Sequence, residues 1–325
     1  MDSNTPLLRV TAFSAAALLV LTACGDNGDD DTDVDEGNGA DVETDETEDD
    51  AEAGDDAEAG DDGDAEAGEG DGEELTVALF GEEPYSWLDE ESGEPTGATI
   101  AVAEEIFGER MGYDLNIVEE PEWGNLIPGL AAGQWDVVSA GMSINEERCA
   151  EAAFGEPELV YTTAFLVEEG NSEGLETFED LEGSDLDVIA LSGAVESGWM
   201  DEMDIDHDTV DNAQDGIDFV EGGAADVFAL TAASLEAMAG DIDGLEVTES
   251  FEHELSVGAH TFRLEDEEMV EEFNENLDEL MDSGEYLDLV SEFGFSEDQM
   301  PPSGLTAQEL CEEDPEELAD EYLED

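Results

Sequence analysis

Arg148 closes the stretch Gly141-Met-Ser-Ile-Asn-Glu-Glu-Arg, a few residues beyond an apolar run that ends near Val138. A guanidinium just past a strand can clamp a carboxylate through two parallel N–H bonds. The competing role is a structural salt bridge. The chain, however, has 4 Lys+Arg against 98 Asp+Glu, and all four cations are arginine. A cation retained in such a composition points to function. Arg110, near a helix C-terminus, reads as a partner of the helix dipole, and Arg263 reads as structural. Two aromatic groups accompany Arg148: Gly81-Glu-Glu-Pro-Tyr-Ser-Trp87 after the first strand, and Trp123 in a loop before a helix. Aromatics at strand exits often belong to the core. Beside a carboxylate they can also hold an organic cation, at about 0.5–2 kcal/mol each. Catalytic patterns are scarce. There is no Gly-rich phosphate loop, no Gly-x-Ser-x-Gly and no EF-hand spacing. His207, His253 and His260 lack metal spacing and sit in polar surroundings, so they read as solvated or capping residues. Carboxylate pairs recur throughout, so none stands out as an acid–base pair. No enzyme, metal or cofactor is expected.

The formal charge of −94 excludes nucleic acid and electrostatic docking to an anionic bilayer, both of which need clustered cations. An apolar fraction of 40% still supports a core. Residues 25–74 hold 26 acids in 50 positions, without an aromatic or a cation, and variants of Asp-Asp-Ala-Glu-Ala-Gly recur from Asp55. Such a segment cannot offset its ordering entropy and is expected to be a disordered acidic linker. Beyond it, 71 acids face three arginines. Loss of lysine with gain of Asp and Glu is the pattern of a halophile's proteins.

Residues 1–24 read as a lipoprotein signal peptide. The apolar run Val10–Leu21 is too short to span a bilayer and suits a signal segment. Leu21-Thr-Ala-Cys24 resembles a lipobox, with Cys24 the lipidated residue. A lipid at one end of an acidic tether describes an extracytoplasmic domain anchored to the cell membrane.

From Leu75 the chain alternates strand-like and helix-like runs. Strands are expected at Leu75–Phe80, Leu115–Val118, Trp135–Val138, Leu186–Ala190 and Ala225–Ala229. Helices are expected over Thr99–Met111 and Leu126–Ala132, from Val195, and over Glu267–Phe293. This rhythm argues an α/β protein with parallel sheets. Two such sets imply two lobes, joined by extended crossovers at Thr162–Val167 and Val257–Phe262. Ligands of open α/β sheets bind beyond the strand C-termini, so a cleft between the lobes would present both sets of loops to one ligand.

The segments Leu126–Val138, Ala140–Cys149, Leu191–Gly198 and Ser283–Phe295 resemble the solute-binding proteins of ABC importers for polar amino acids. Within that family the chain looks most like the ectoine/hydroxyectoine binders. The resemblance implies a two-lobe periplasmic-binding-protein-like fold with two crossover hinge strands and no catalysis. Its domain would cover 75–325, with lobe 1 at about 75–165 and 257–325 and lobe 2 at about 166–256. Partners would be a small zwitterionic solute, ABC permease membrane subunits, and the membrane through the lipid anchor. Arg148 matches the carboxylate-binding arginine, and Gly141 and Ser143 the loop presenting backbone groups. Gly193 and Ala194 match a helix N-terminus that donates N–H groups to the carboxylate. Glu82 matches the acid paired with the ring cation, and Tyr85 and Trp123 two walls of the aromatic box. Amino-acid binders carry an Asp where Thr231 follows Asp226 by five residues, which disfavours a primary ammonium here. Ectoine binders usually carry an aromatic where this chain has Ser143, so the third wall is expected to be missing or to come from elsewhere, with Phe165 as the candidate. A polar amino acid is the alternative solute. After Cys24, Cys149 and Cys311 remain, and an oxidising exterior predicts a disulfide between them.

Self-repulsion of so acidic a domain should be relieved only when molar salt shortens the Debye length to about 3 Å. The melting temperature followed by circular dichroism is expected to rise steeply from dilute buffer to molar salt. An unchanged melt would refute this.

Overall fold

The computed structural model describes residues 72–322. The expected signal segment, Cys24 and nearly all of the acidic linker lie outside the described residues.

Short apolar runs build the sheet. β1 (Glu74–Leu79), β2 (Asp114–Glu119) and β3 (Val137–Ser143) form a parallel set with β1 in the middle. β4 (Leu159–Glu168) follows as a long strand, and then a second parallel set, β5 (Val188–Leu191), β6 (Asp208–Val210) and β7 (Val227–Thr231), with β5 in the middle. β8 (Phe251–Phe262) is the other long strand. β4 and β8 pair antiparallel with each other, and each pairs antiparallel with the innermost strand of one set. The sheet order is therefore β2-β1-β3-β8-β4-β7-β5-β6. The expected α/β class holds, with a mixed sheet in place of two purely parallel ones.

Both sets use the same device. Asp136 accepts the Thr76 N–H (2.9 Å) and Asp226 accepts the Asp187 N–H (2.9 Å). Each carboxylate sits in the turn that enters β3 or β7 and ties it to the neighbouring strand. The device also shifts the boundaries: β3 and β7 begin one residue after the Asp and run on to Ser143 and Thr231, further than the apolar pattern suggests.

Helices cover the sheet where apolar spacing permits. α1 (Ala98–Ala103) continues as a π-helical segment over Glu104–Arg110. α2 (Leu126–Ala131), the four-residue α3 (Glu146–Cys149), α4 (Val195–Glu202), α5 (Ala213–Glu221) and α6 (Ala232–Ala239) follow. The long helix expected over Glu267–Phe293 is two helices, α7 (Glu267–Ser283) and α8 (Glu285–Ser291). Gly284 divides them at φ 82°, a left-handed conformation that only glycine adopts at little cost. α9 (Ala307–Glu312) is tied to α3 by a Cys149–Cys311 disulfide. None of the helices among the described residues is long and apolar enough to cross a membrane.

Two of the arginines act within the fold. Arg110 bonds Glu105 and Glu285 (2.9 Å each), with Glu279 at 3.6 Å. It thereby pins the π-helical segment to the start of α8. Arg263 bonds Asp136 (2.9 Å) and Asp266 (2.7 Å). His260 departs from the solvated or capping role expected of it. It is buried on β8, and its Nδ1 lies 2.8 Å from the equally buried Glu158. A polar sequence neighbourhood does not report burial when the strand runs through the middle of a sheet.

Phe273 on α7 stacks on Phe107 (centroids 5.2 Å apart) and meets Phe262 edge-on at 5.4 Å. It is fully buried. Phe273→Ala is expected to destabilise the domain by about 3–5 kcal/mol, read from the denaturant midpoint in molar salt.

Candidate functional site

The site begins where β1 ends. The chain turns back on itself as Glu82 and Ser86 exchange backbone hydrogen bonds (2.9 and 3.0 Å), and the Ser86 hydroxyl donates to the Phe80 carbonyl at 2.9 Å. This small loop turns Glu82 and Tyr85 inward, and both are buried. The Tyr85 carbonyl receives the Thr99 N–H and hydroxyl (3.0 and 3.1 Å), which locks the loop to α1. On β3, Gly141 has φ 64°, and an added Cβ would lie 2.8 Å from the Tyr161 hydroxyl and 3.0 Å from the Tyr85 ring. Only a glycine lets these two rings come so close to the strand. They meet edge-on at 5.1 Å.

Arg148 enters from α3. Asn145 caps that short helix by accepting the Arg148 N–H at 2.9 Å, which turns the arginine side chain inward. The guanidinium donates to the Ser143 carbonyl (2.8 Å) and the Gly193 carbonyl (2.9 Å) and lies 5.7 Å from the Trp123 ring centroid. Arg148 is buried, and no carboxylate among the described residues lies within ion-pair range of it. Burial lowers its pKa to about 10, so it stays charged at neutral pH.

Trp123 reaches from the first half of the sheet to the second. Its ring N–H donates to the Gly193 carbonyl (3.3 Å), and its edge packs on Phe80 at 5.2 Å. A hydroxyl relay holds Glu82: Thr231 donates to Ser234 (3.0 Å), and Ser234 donates to the Glu82 carboxylate. Glu196, in the first turn of α4, is buried, and its Oε1 has no hydrogen-bond partner among the described residues. Burial pushes Glu82 and Glu196 up to about 7 each.

Together these groups line a narrow cleft, with a cavity volume of about 30 Å³, bordered by Glu82, Tyr85, Trp123, Gly141, Ser143, Arg148, Tyr161, Ala194, Glu196 and Thr231, with Ala140, Leu191, Val195 and Leu230. It carries one cation, two carboxyls and three aromatic rings, a set of groups that suits a small polar organic molecule. Among the described residues no cluster of His, Cys, Asp and Glu is placed to hold a metal.

Eight of the nine residues expected to bind solute line this cavity. The ninth, Gly193, borders it and takes part through its carbonyl, which accepts from Arg148 and Trp123. The Ala194 N–H is turned to the Leu191 carbonyl at 3.2 Å. Phe165 is not a wall of the cavity. It packs in a separate core against Phe178 and Phe251, at 5.5 and 5.0 Å. By strand alternation it shares a face with Tyr161, but it lies four residues farther along β4, beside Ala229 of β7. The third ring is Tyr161, which sits on β4 just before the run expected as a crossover. Its place inside a longer strand was the signal available in the sequence. Glu196 was passed over because an acid in a helix's first turn ordinarily serves the helix dipole, and this chain is crowded with acids.

Residues 75–296 match the model of the bacterial extracellular solute-binding proteins, family 3, and the chain belongs to that family. It is a solute-binding protein. A curated relative is a probable amino-acid ABC transporter periplasmic-binding protein, y4tE, of Sinorhizobium fredii (strain NBRC 101917 / NGR234). It is 28% identical over 73% of this chain and 82% of its own length. Among solved structures, EhuB in complex with hydroxyectoine is 28% identical, with a TM-score of 0.67 over 74% of this chain and 95% of that one. A mutant of ArgBP from T. maritima is also 28% identical, with a TM-score of 0.60 over 68% and 94%.

Glu82 and Glu196 have pKa values of about 7 in the folded protein against an ordinary 4.5. The folded state therefore binds these protons more tightly than the unfolded chain. The stability this contributes is full below pH 4.5 and is lost as pH rises through 7. Changing both residues to Gln should stabilise the ligand-free protein relative to wild type across that window, by up to about 3 kcal/mol per carboxyl. Denaturant melts at pH 5 and pH 8 check the difference.

Proposed function

We propose that the chain is the lipid-anchored extracytoplasmic receptor of an ABC importer and that its solute is ectoine or hydroxyectoine. The observation that carries the reading is the buried Arg148, without an ion-pair partner among the described residues, in a cavity that also holds Glu82 and aromatic rings. In this reading Arg148 takes the solute carboxylate. Tyr85, Trp123 and Tyr161 flank the flat ring, and Glu82 pairs with its cation. Gly141, Ser143, Gly193 and Ala194 shape the carboxylate end. The lobes hinge about β4 and β8, and closure is recognised by the permease membrane subunits. Cys24 carries the lipid, and the acidic linker spans the distance to the membrane of a halophile. A polar amino acid is the second reading. It is favoured by Ser143 at the aromatic position and by the relatives named for amino acids.

Calorimetry in molar salt with ectoine, hydroxyectoine, arginine, glutamine and glycine betaine tests the choice. Ectoine or hydroxyectoine is expected to bind tightest. Arg148→Ala should weaken binding by about 2–5 kcal/mol, the usual cost of removing one member of a buried charge pair. Thr231→Asp should shift preference toward primary amines. Tight glutamine binding with no ectoine heat would establish the second reading.

A further inference from the structure

Glu196 adds something that the matched motifs do not assign. It lies in the second half of the sheet system, on the first turn of α4, whereas Glu82 comes from the loop after β1 in the first half. Both line the same cavity. The Glu82 carboxylate already receives the Ser234 hydroxyl. Oε1 of Glu196 receives no hydrogen bond among the described residues, although the residue is only 2% exposed. A buried carboxylate oxygen without a donor is costly, and a ligand that brings a donor recovers that cost. Arg148 is satisfied by one ligand carboxylate, which leaves two acids to be met by the remainder of the molecule.

The aromatic rings narrow the chemistry further. A flat, delocalised cation can present its faces to Tyr85, Trp123 and Tyr161, and its N–H groups then diverge in its own plane toward acids on different elements. A tetrahedral ammonium confines its donors to a single nitrogen, and a quaternary nitrogen has none. Resting on the solute-receptor reading above, we infer that Glu196 is a specificity-determining contact that accepts an N–H from a second nitrogen of the ligand. The site thereby selects small carboxylic acids bearing an amidinium or guanidinium over those bearing a lone ammonium or a quaternary nitrogen.

The test is calorimetry of the full chain in molar salt with ectoine (amidinium), arginine (guanidinium), proline (secondary ammonium) and glycine betaine (quaternary). Wild type and the variants Glu196→Gln and Glu196→Asp are compared. Wild type is expected to bind ectoine or arginine at least about tenfold tighter than proline or betaine, as loss of one charge-assisted hydrogen bond implies. Glu196→Gln should reduce that preferred affinity about 10–100-fold while changing proline or betaine less than about twofold, and Glu196→Asp should restore part of the loss. The ligand-free melting temperature of Glu196→Gln should equal or exceed that of wild type, whereas a purely structural role would lower it. Retained ectoine or arginine affinity in Glu196→Gln, or an equal loss for every probe, overturns the inference and leaves the receptor reading standing. Failure of wild type to bind any probe removes the receptor reading and this inference with it.

Discussion

A guanidinium taken out of water, with no ion-pair partner among the described residues, is the constraint around which the site is organised. Arg148 donates to two carbonyls, Ser143 on the first half of the sheet system and Gly193 on the second, and stands over the face of Trp123. Carbonyl dipoles hold the group in place but do not neutralise it. The charge remains available, in a cavity where low dielectric makes a carboxylate guest worth more than it would be in water. Asn145 and the disulfide at Cys149 fix the short helix that carries the arginine. The same Gly193 carbonyl receives the Trp123 ring, so one peptide group joins both halves of the cleft to the binding residues.

The acid-rich composition sharpens this arrangement. Among the three arginines within the described residues, Arg110 and Arg263 are engaged by acids and staple elements together. Only Arg148 has no carboxylate within ion-pair range among the described residues. Glu196 is near enough to influence Arg148 electrostatically without pairing with it. Its own burial raises its pKa, which weakens the competition that it could offer to a ligand carboxylate.

Much of the architecture was legible because local rules and tertiary packing agree. Val- and Leu-rich runs became strands, and the spacing around Arg148 placed it just beyond a strand. Where the reading failed, a non-local cause was responsible. Gly284 broke a helix whose apolar period continued on both sides. His260 is buried beside Glu158, a residue 102 positions away, which no local pattern reports. Phe165 and Tyr161 share one face of one strand, and the neighbours at each point along that strand decide which of them meets the cavity.

By itself the sequence determined the α/β class, the scarcity of cations that singled out Arg148, and the short motifs that bring Glu82, Tyr85, Trp123 and Thr231 to strand ends. These are properties of residue type and near spacing. Only the tertiary structure decided which acid among so many would be buried facing the cavity, which aromatic would complete its walls, and that the Gly193 carbonyl would receive both Arg148 and Trp123. Burial and unpaired hydrogen-bonding atoms depend on contacts between residues far apart in the chain, and local sequence carries no record of them.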